Sequence, residues 1–360
     1  MKKIFCLIYF IISMNIIIFC IKIEEVSKVE MSFSFYSKPI LLNNKIYYFD
    51  NKMNFNVYDI TEERNKEILK INKNDWSFPM TNIDNEIYFV DNLNMILYSY
   101  NIKSSKLLVL FDFKNSKIQF SKGFSKVLFI NNNIVYYKKN NDLNQIEIII
   151  IKKNGGKIYE KIFKNTDIHD KIIQINNDLF FIFNNLLLKL NWDNFTFEYF
   201  DSIFYNSKII GNKNNILFLE SDKNVSAYEL NSEIREIWNL EFNQYDIISK
   251  IDYYNDKMIV IGADIDEYYS DIYYISTVNI KTGNVELNEF KFKEPLEMSP
   301  NIICGEYLTI IFDYNKIIFV DNNNLNNQDI FNYSCSYAIF LDDKILIFSK
   351  DGLIIFKYYI

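Results

Sequence analysis

A short phrase recurs eight times along this 360-residue chain, and its period limits the fold more than any other feature. Two or three polar residues, mostly Asn or Asp, precede an apolar and aromatic run. The first copies are Asn43-Asn44-Lys45-Ile46-Tyr47-Tyr48-Phe49 and Asp84-Asn85-Glu86-Ile87-Tyr88-Phe89-Val90. Others begin at Asn132-Asn133-Ile134, Asn177-Asp178-Leu179, Asn214-Asn215-Ile216, Asp256-Lys257-Met258, Glu306-Tyr307-Leu308 and Asp343-Lys344-Ile345. The aligned apolar positions 46, 87, 134, 179, 216, 258, 308 and 345 repeat every ~43 residues. Helical repeats of that length need stretches of roughly 10–15 residues with apolar spacing of 3.6, and the chain has none. β-branched and aromatic runs at this period suit a propeller blade of four strands.

Each unit reads as four short strands joined by polar turns. In the first unit they cover 39–42, 45–50, 55–60 and 67–71. Asn and Asp tolerate the left-handed backbone and bond their own chain, so a protein with eight glycines can still make many tight turns. The last unit supplies three strands, 337–341, 344–348 and 353–359, and then the chain stops. One spare strand, 29–35, lies upstream of the first unit. A ring leaves no open edge if that N-terminal strand completes the last blade. The expectation is a single all-β domain over 24–360, an eight-bladed β-propeller of four-stranded antiparallel blades closed by an N-terminal strand. A poor fourth strand at 326–331 leaves seven blades as the alternative.

A second phrase sits at the third strand and the turn after it: Tyr58-Asp59-Ile60-Thr61, Tyr100-Asn101-Ile102-Lys103-Ser104, Tyr228-Glu229-Leu230-Asn231-Ser232 and Val278-Asn279-Ile280-Lys281-Thr282-Gly283. Here the chain resembles the quinoprotein-like (PQQ-type) β-propeller repeats. Their third strand ends in an aromatic-x-Leu-Asp phrase, and a Thr-Gly turn leads to a fourth strand ending in Trp. Unit six carries the turn, Thr282-Gly283, and unit five the terminal Trp238; no unit has the whole pattern. The resemblance covers residues 36 to 360 and is to a repeat superfamily, not to an enzyme.

The N-terminus reads as an address. Lys2 and Lys3 precede an apolar run from Ile4 to Ile23 broken by Ser13, Asn15 and Lys22. That is the pattern of an export signal, and it is also long enough to span a bilayer. Cys20 sits where the lipid-bearing cysteine of a bacterial lipoprotein would, although Ile17-Ile18-Phe19 departs from the small residue usual before it. Residues 1–23 are therefore a cleaved signal, a lipoprotein signal or a membrane anchor. A buried N-terminal element of a cytosolic protein is the plainer alternative. The first three readings place the folded part outside the cytoplasm, at the cell envelope, with the membrane contacted through this segment only. Cys304 and Cys335 remain in the body, where two separate buried thiols or one disulfide are both allowed.

Composition narrows the function by exclusion. The formal charge is −7. Nothing supplies the clustered base that a duplex-binding surface needs, so nucleic acid is not expected as a partner. Two arginines cannot make the three-arginine clamp of a sialidase. No adjacent cysteine pair exists to support a quinoprotein dehydrogenase site. Neither a cofactor nor a metal is expected. One histidine, His169, lies between Asp167 and Asp170, without a nucleophile-elbow motif to make it a catalytic base.

Three unusual segments fall on the face that carries the connection after each second strand and between blades. They hold Trp76, His169, and the acidic loop with Asp264, Asp266, Glu267, Tyr268, Tyr269 and Asp271. The loop carboxylates would suit calcium, though EF-hand spacing is absent. The two tyrosines would stack on a sugar or peptide, and a plain solvated hairpin tip explains the same residues. The functional expectation is a non-catalytic scaffold that binds an envelope protein or surface ligand, as in outer-membrane assembly lipoproteins built from similar repeats. The alternatives are an exported carbohydrate-active hydrolase or lyase with carboxylates in the central funnel, and a sugar-binding lectin.

Overall fold

The computed structural model describes residues 21–34, 37–71, 78–92, 94–115, 124–140, 142–166, 171–183, 186–201, 208–221, 224–231, 234–242, 246–247, 251–263, 272–291, 300–312, 315–322, 324–349 and 351–359. These residues form eight antiparallel sheets, seven built from consecutive strands and one closed by the two ends of the chain. Blade one comprises Ile40–Leu42, Lys45–Phe49, Phe55–Asp59 and Arg64–Leu69, close to the strands expected from the sequence. Blade six has its first strand split into Asp246–Ile247 and Asp252–Tyr254. The doubtful fourth strand of blade seven is a full strand, Asn324–Phe331, which settles the count at eight. The described residues contain one 3-10 turn, Phe113–Asn115, and no α-helix.

Burial explains why the repeat is legible. The sheets stand radially, so both faces of each pack against a neighbour. In the second strand of blade one, Ile46 and Tyr48 face blade eight while Tyr47 and Phe49 face blade two. Alternate residues thus enter two different cores, and the strand reads as one continuous apolar run. Fourth strands form the rim, and Arg64–Leu69 is mostly exposed. Eight buried clusters separate the blades, one for each neighbouring pair, including blades eight and one. An open stack of eight sheets would have seven such interfaces, so the ring is closed.

Closure uses the N-terminal end, but not the segment anticipated. The strand Lys22–Val29, rather than 29–35, pairs with Gly352–Tyr359, running from Lys22 opposite Tyr359 to Val29 opposite Leu353. Lys22 and Ile23, counted above with the apolar segment, therefore pair inside this sheet. A rim strand needs few apolar residues, which is why the polar sequence of 22–29 suffices. The aromatic stretch after it fills an interface instead. Phe33 is buried between blades eight and one, 4.7 Å from the Tyr48 ring and 5.0 Å from that of Phe348. Gly352, at φ +137°, passes so close to this strand that a Cβ would lie 2.3 Å from the Val29 carbonyl oxygen.

The two ends of the ring differ. At one face, first strands turn into second strands and third into fourth, through connections of two to five residues, such as 43–44 and 280–284. The first turn residue has positive φ at Asn43, Asp84, Asn131, Asn176, Asn214, Asn255 and Asp342, so Asn and Asp fill the role that glycine often takes. The opposite face carries the connections between blades and after second strands, among them the segment 113–123.

Candidate functional site

Recurring third-strand residues lock the tight-turn face. Asp59 Oδ1 accepts from the amides of Thr61 and Glu62, and Asn279 Oδ1 from those of Lys281 and Thr282. The next amide, from Ile60, Ile102, Leu230 or Ile280, donates to the carbonyl of the neighbouring Asn or Asp turn. Trp238 and Gly283, fragments of one motif found in different units, meet across the interface between blades five and six. The Trp238 indole donates from Nε1 to the Ile280 carbonyl at 2.7 Å, and a Cβ on Gly283 would lie 2.7 Å from the indole Cγ. This face is built for rigidity.

The longer loops lie at the other end. The segments 70–79, 165–170 and 264–271 join strands whose ends share that face. The side chains singled out from the sequence, Trp76, His169, Asp264, Asp266, Glu267, Tyr268, Tyr269 and Asp271, lie outside the described residues, as does Cys20. Cys304 and Cys335 are separate buried thiols. Burial and the Asp252 charge push the Cys304 thiol well up, so it is an inert core residue.

Sequence reasoning named a central funnel but none of the residues that line it. The axial cavity has a volume of ≈ 570 Å³ and is walled by the first strands of blades eight, one, two, six and seven. Ile40, Leu41, Met80, Ile303, Ile339 and Phe340 make most of the wall apolar, and Lys38, Thr81, Asn82, Asp252 and Tyr337 are among its polar members. Side chains also stitch first strands together around the axis. Gln174 Nε2 donates to the Phe129 carbonyl at 3.3 Å, and Asn212 Nδ2 to the Gln174 carbonyl at 3.1 Å. Asp252 Oδ2 accepts from the Cys304 amide at 2.7 Å. Burial raises the Asp252 pKa, while the Cys304 and Tyr253 amides and Lys38 pull against that shift. A polar network also links blades two and three: Tyr136 donates to Asn92 Oδ1 at 3.0 Å, and Asn92 Nδ2 donates to Ser125 Oγ at 2.9 Å. Nearby, the buried Lys138 stands opposite Glu147, with its ammonium pushed down to about 8 by burial against the opposing pull of Glu147.

The arrangement defines an eight-bladed, four-stranded β-propeller with a rigid tight-turn face, a long-loop face and an axial cavity. No protein-family model matches the chain, and no curated protein matches it by sequence. Among solved structures it is similar to BamB from Moraxella catarrhalis, with a TM-score of 0.59 and 10% identity over 94% of this chain and 100% of that one. It is similar to Saccharomyces cerevisiae Sqt1, with a TM-score of 0.60 and 10% identity over 93% of this chain and 98% of that one. It is also similar to the dihydro-heme d1 dehydrogenase NirN in complex with DHE, with a TM-score of 0.58 and 8% identity over 92% of this chain and 75% of that one. At such identities the likeness shows the fold alone.

Proposed function

We propose that this protein is an exported β-propeller, held at a membrane by its N-terminal segment, that binds an envelope protein or surface ligand through its long-loop face without chemistry of its own. The observation that carries the reading is the polarity of the ring. The closing strand enters at Lys22, opposite Tyr359 on the tight-turn face, and leaves at Val29 towards the long loops. A tether before Lys22 joins the tight-turn end and leaves the long-loop face free for a partner. The contact between Trp238 and the Thr282-Gly283 turn supports assigning the repeats to the PQQ-type superfamily. Fold cannot choose the function, since NirN is named a dehydrogenase and shares it. The cavity bears more directly on the choice: its described lining supplies one carboxylate, Asp252, whereas glycoside hydrolysis needs a pair.

Two experiments test the reading. Cys20→Ala is expected to abolish palmitate labelling and membrane association; equal labelling in the variant, or recovery of the native chain in the cytosol, refutes the tether. A photo-crosslinker at Asp142, exposed on the long-loop face, is expected to capture an envelope protein that one at Lys103 on the tight-turn face does not. Capture from Lys103 alone, or turnover on a glycoside panel, overturns the platform.

A further inference from the structure

The chain carries more acid than base overall, yet one level of the ring concentrates lysine. Lys126 lies opposite Tyr137, Lys171 opposite Ile182 and Lys208 opposite Glu220. Tyr137 and Ile182 each lie three residues along the second strand from the aligned positions Ile134 and Leu179, so Lys126 and Lys171 share one height, and Lys208 lies one residue nearer the long-loop face. Lys38 stands two residues before Ile40, which pairs with Tyr47, and so holds the same height in blade one. Four of the eight blades therefore place a lysine at this level or within one residue of it, towards the long-loop face.

Lys38 lines the cavity, and its charge acts on Lys126. Lys126 is open to solvent, yet the surrounding walls, and then Lys38, hold its ammonium below the ordinary lysine range. Neither group makes an ion pair among the described residues. Two lysines act here against one carboxylate, Asp252, and that excess of cation favours a bound anion. Asp252 pairs with Ile259, two residues along from Lys257, and so lies about 7 Å deeper than the lysines. Its carboxylate is held by the Cys304 amide, and it repels a negative group that moves inward. Across the ring, Ile40, Met80, Ile339 and Phe340 offer an apolar wall.

The geometry points to a ligand site in the axial cavity for an organic anion of small-molecule size, with a carboxylate or phosphate head at the Lys38–Lys126 collar and an apolar body along Ile40, Met80, Ile339 and Phe340. The cavity volume of ≈ 570 Å³ falls within the usual range of such sites. The site goes beyond the platform reading and holds whether or not the chain is tethered.

Calorimetric titration of the full chain at low salt tests it, with octanoate, octyl phosphate, octanol and inorganic phosphate as probes. At least one octyl anion is expected to saturate a single site, and the tighter of the two identifies the head group. Octanol and inorganic phosphate each lack half of the recognised chemistry and are expected to bind at least about tenfold more weakly. The double variant Lys38→Gln, Lys126→Gln is expected to lose about tenfold or more, the scale of one charge-assisted contact. Lys66→Gln, on the exposed rim strand of blade one, controls for net charge and leaves binding unchanged. The double variant Lys38→Arg, Lys126→Arg retains binding, which separates lost charge from misfolding. Wild-type affinity in the glutamine variant, octanol or phosphate binding as tightly as its octyl anion, or no saturable binding by either octyl anion overturns the proposal.

Discussion

Replacing Gly352 with alanine tests ring closure with one methyl group. At φ +137° an L-residue is strained by about 1–3 kcal/mol whatever its surroundings. The new Cβ would also lie 2.3 Å from the Val29 carbonyl oxygen, a backbone atom of the closing strand. That strand must retreat by roughly 1 Å, weakening the ladder around Val29 and Leu353 at about 1 kcal/mol per hydrogen bond. Together these effects give a loss of about 3–5 kcal/mol. An unfolding entropy of about 2.1 cal/mol/K per residue makes that a fall of about 5 °C in Tm for a domain of this size. Gly156→Ala is the control. No left-handed φ constrains Gly156, and its Cβ would meet nothing nearer than Asn154 Oδ1 at 3.7 Å. That substitution should change stability by less than ~0.5 kcal/mol. Scanning calorimetry of both variants decides the matter. If they melt within a degree of each other, the Val29 strand does not hold the last blade as described.

Trp238→Phe keeps the ring but loses the hydrogen bond to the Ile280 carbonyl, for an expected cost of about 1–3 kcal/mol by chemical denaturation; an unchanged midpoint would mean that blades five and six do not depend on this contact. Asn214, at φ 53°, should accept glycine at little cost, whereas valine should cost about 1–2 kcal/mol; equal stability of the two variants contradicts the left-handed turn. Burial holds the Tyr47 and Tyr159 hydroxyls up to about 12, with neighbouring charges adding to the rise at Tyr47. Unfolded tyrosines ionise near 10, so the folded state keeps these protons longer. Their contribution to stability is present below pH ~10 and is lost as pH rises through ~12. Denaturation midpoints at rising pH, alongside the ultraviolet titration of the folded protein, should show this loss; a single tyrosine titration centred near 10 in the native state excludes it.

The legible parts of this protein are those in which neighbouring residues carry the signal. Ile345 and Ile347 face one core while Leu346 and Phe348 face the next, so the run 345–348 declares a doubly buried strand without its partners. Asn43 and Asn214 mark turns because their short amides tolerate positive φ. The excess strand at one end and the missing strand at the other announced a closed ring. The choice between 22–29 and 29–35 as closing strand was not local: a rim position tolerates polar residues, and Phe33 was needed between two blades.

The axial cavity belongs wholly to the tertiary level. Lys38, Met80, Asp252, Ile303 and Phe340 come from five blades and have no relation along the chain until the ring brings their first strands together. A recurring phrase lies near it in sequence: Lys171-Ile172-Ile173 and Lys208-Ile209-Ile210 open first strands with lysine before an apolar pair, and Lys126-Val127-Leu128 sits two residues into its own. Sequence alone determined the four-stranded repeat, most strand positions and the chemistry of the tight turns, because backbone preference and alternate burial act over a few residues. Tertiary structure decided which segment shuts the ring and which side chains share its axis, because those contacts join residues separated by one or more whole blades.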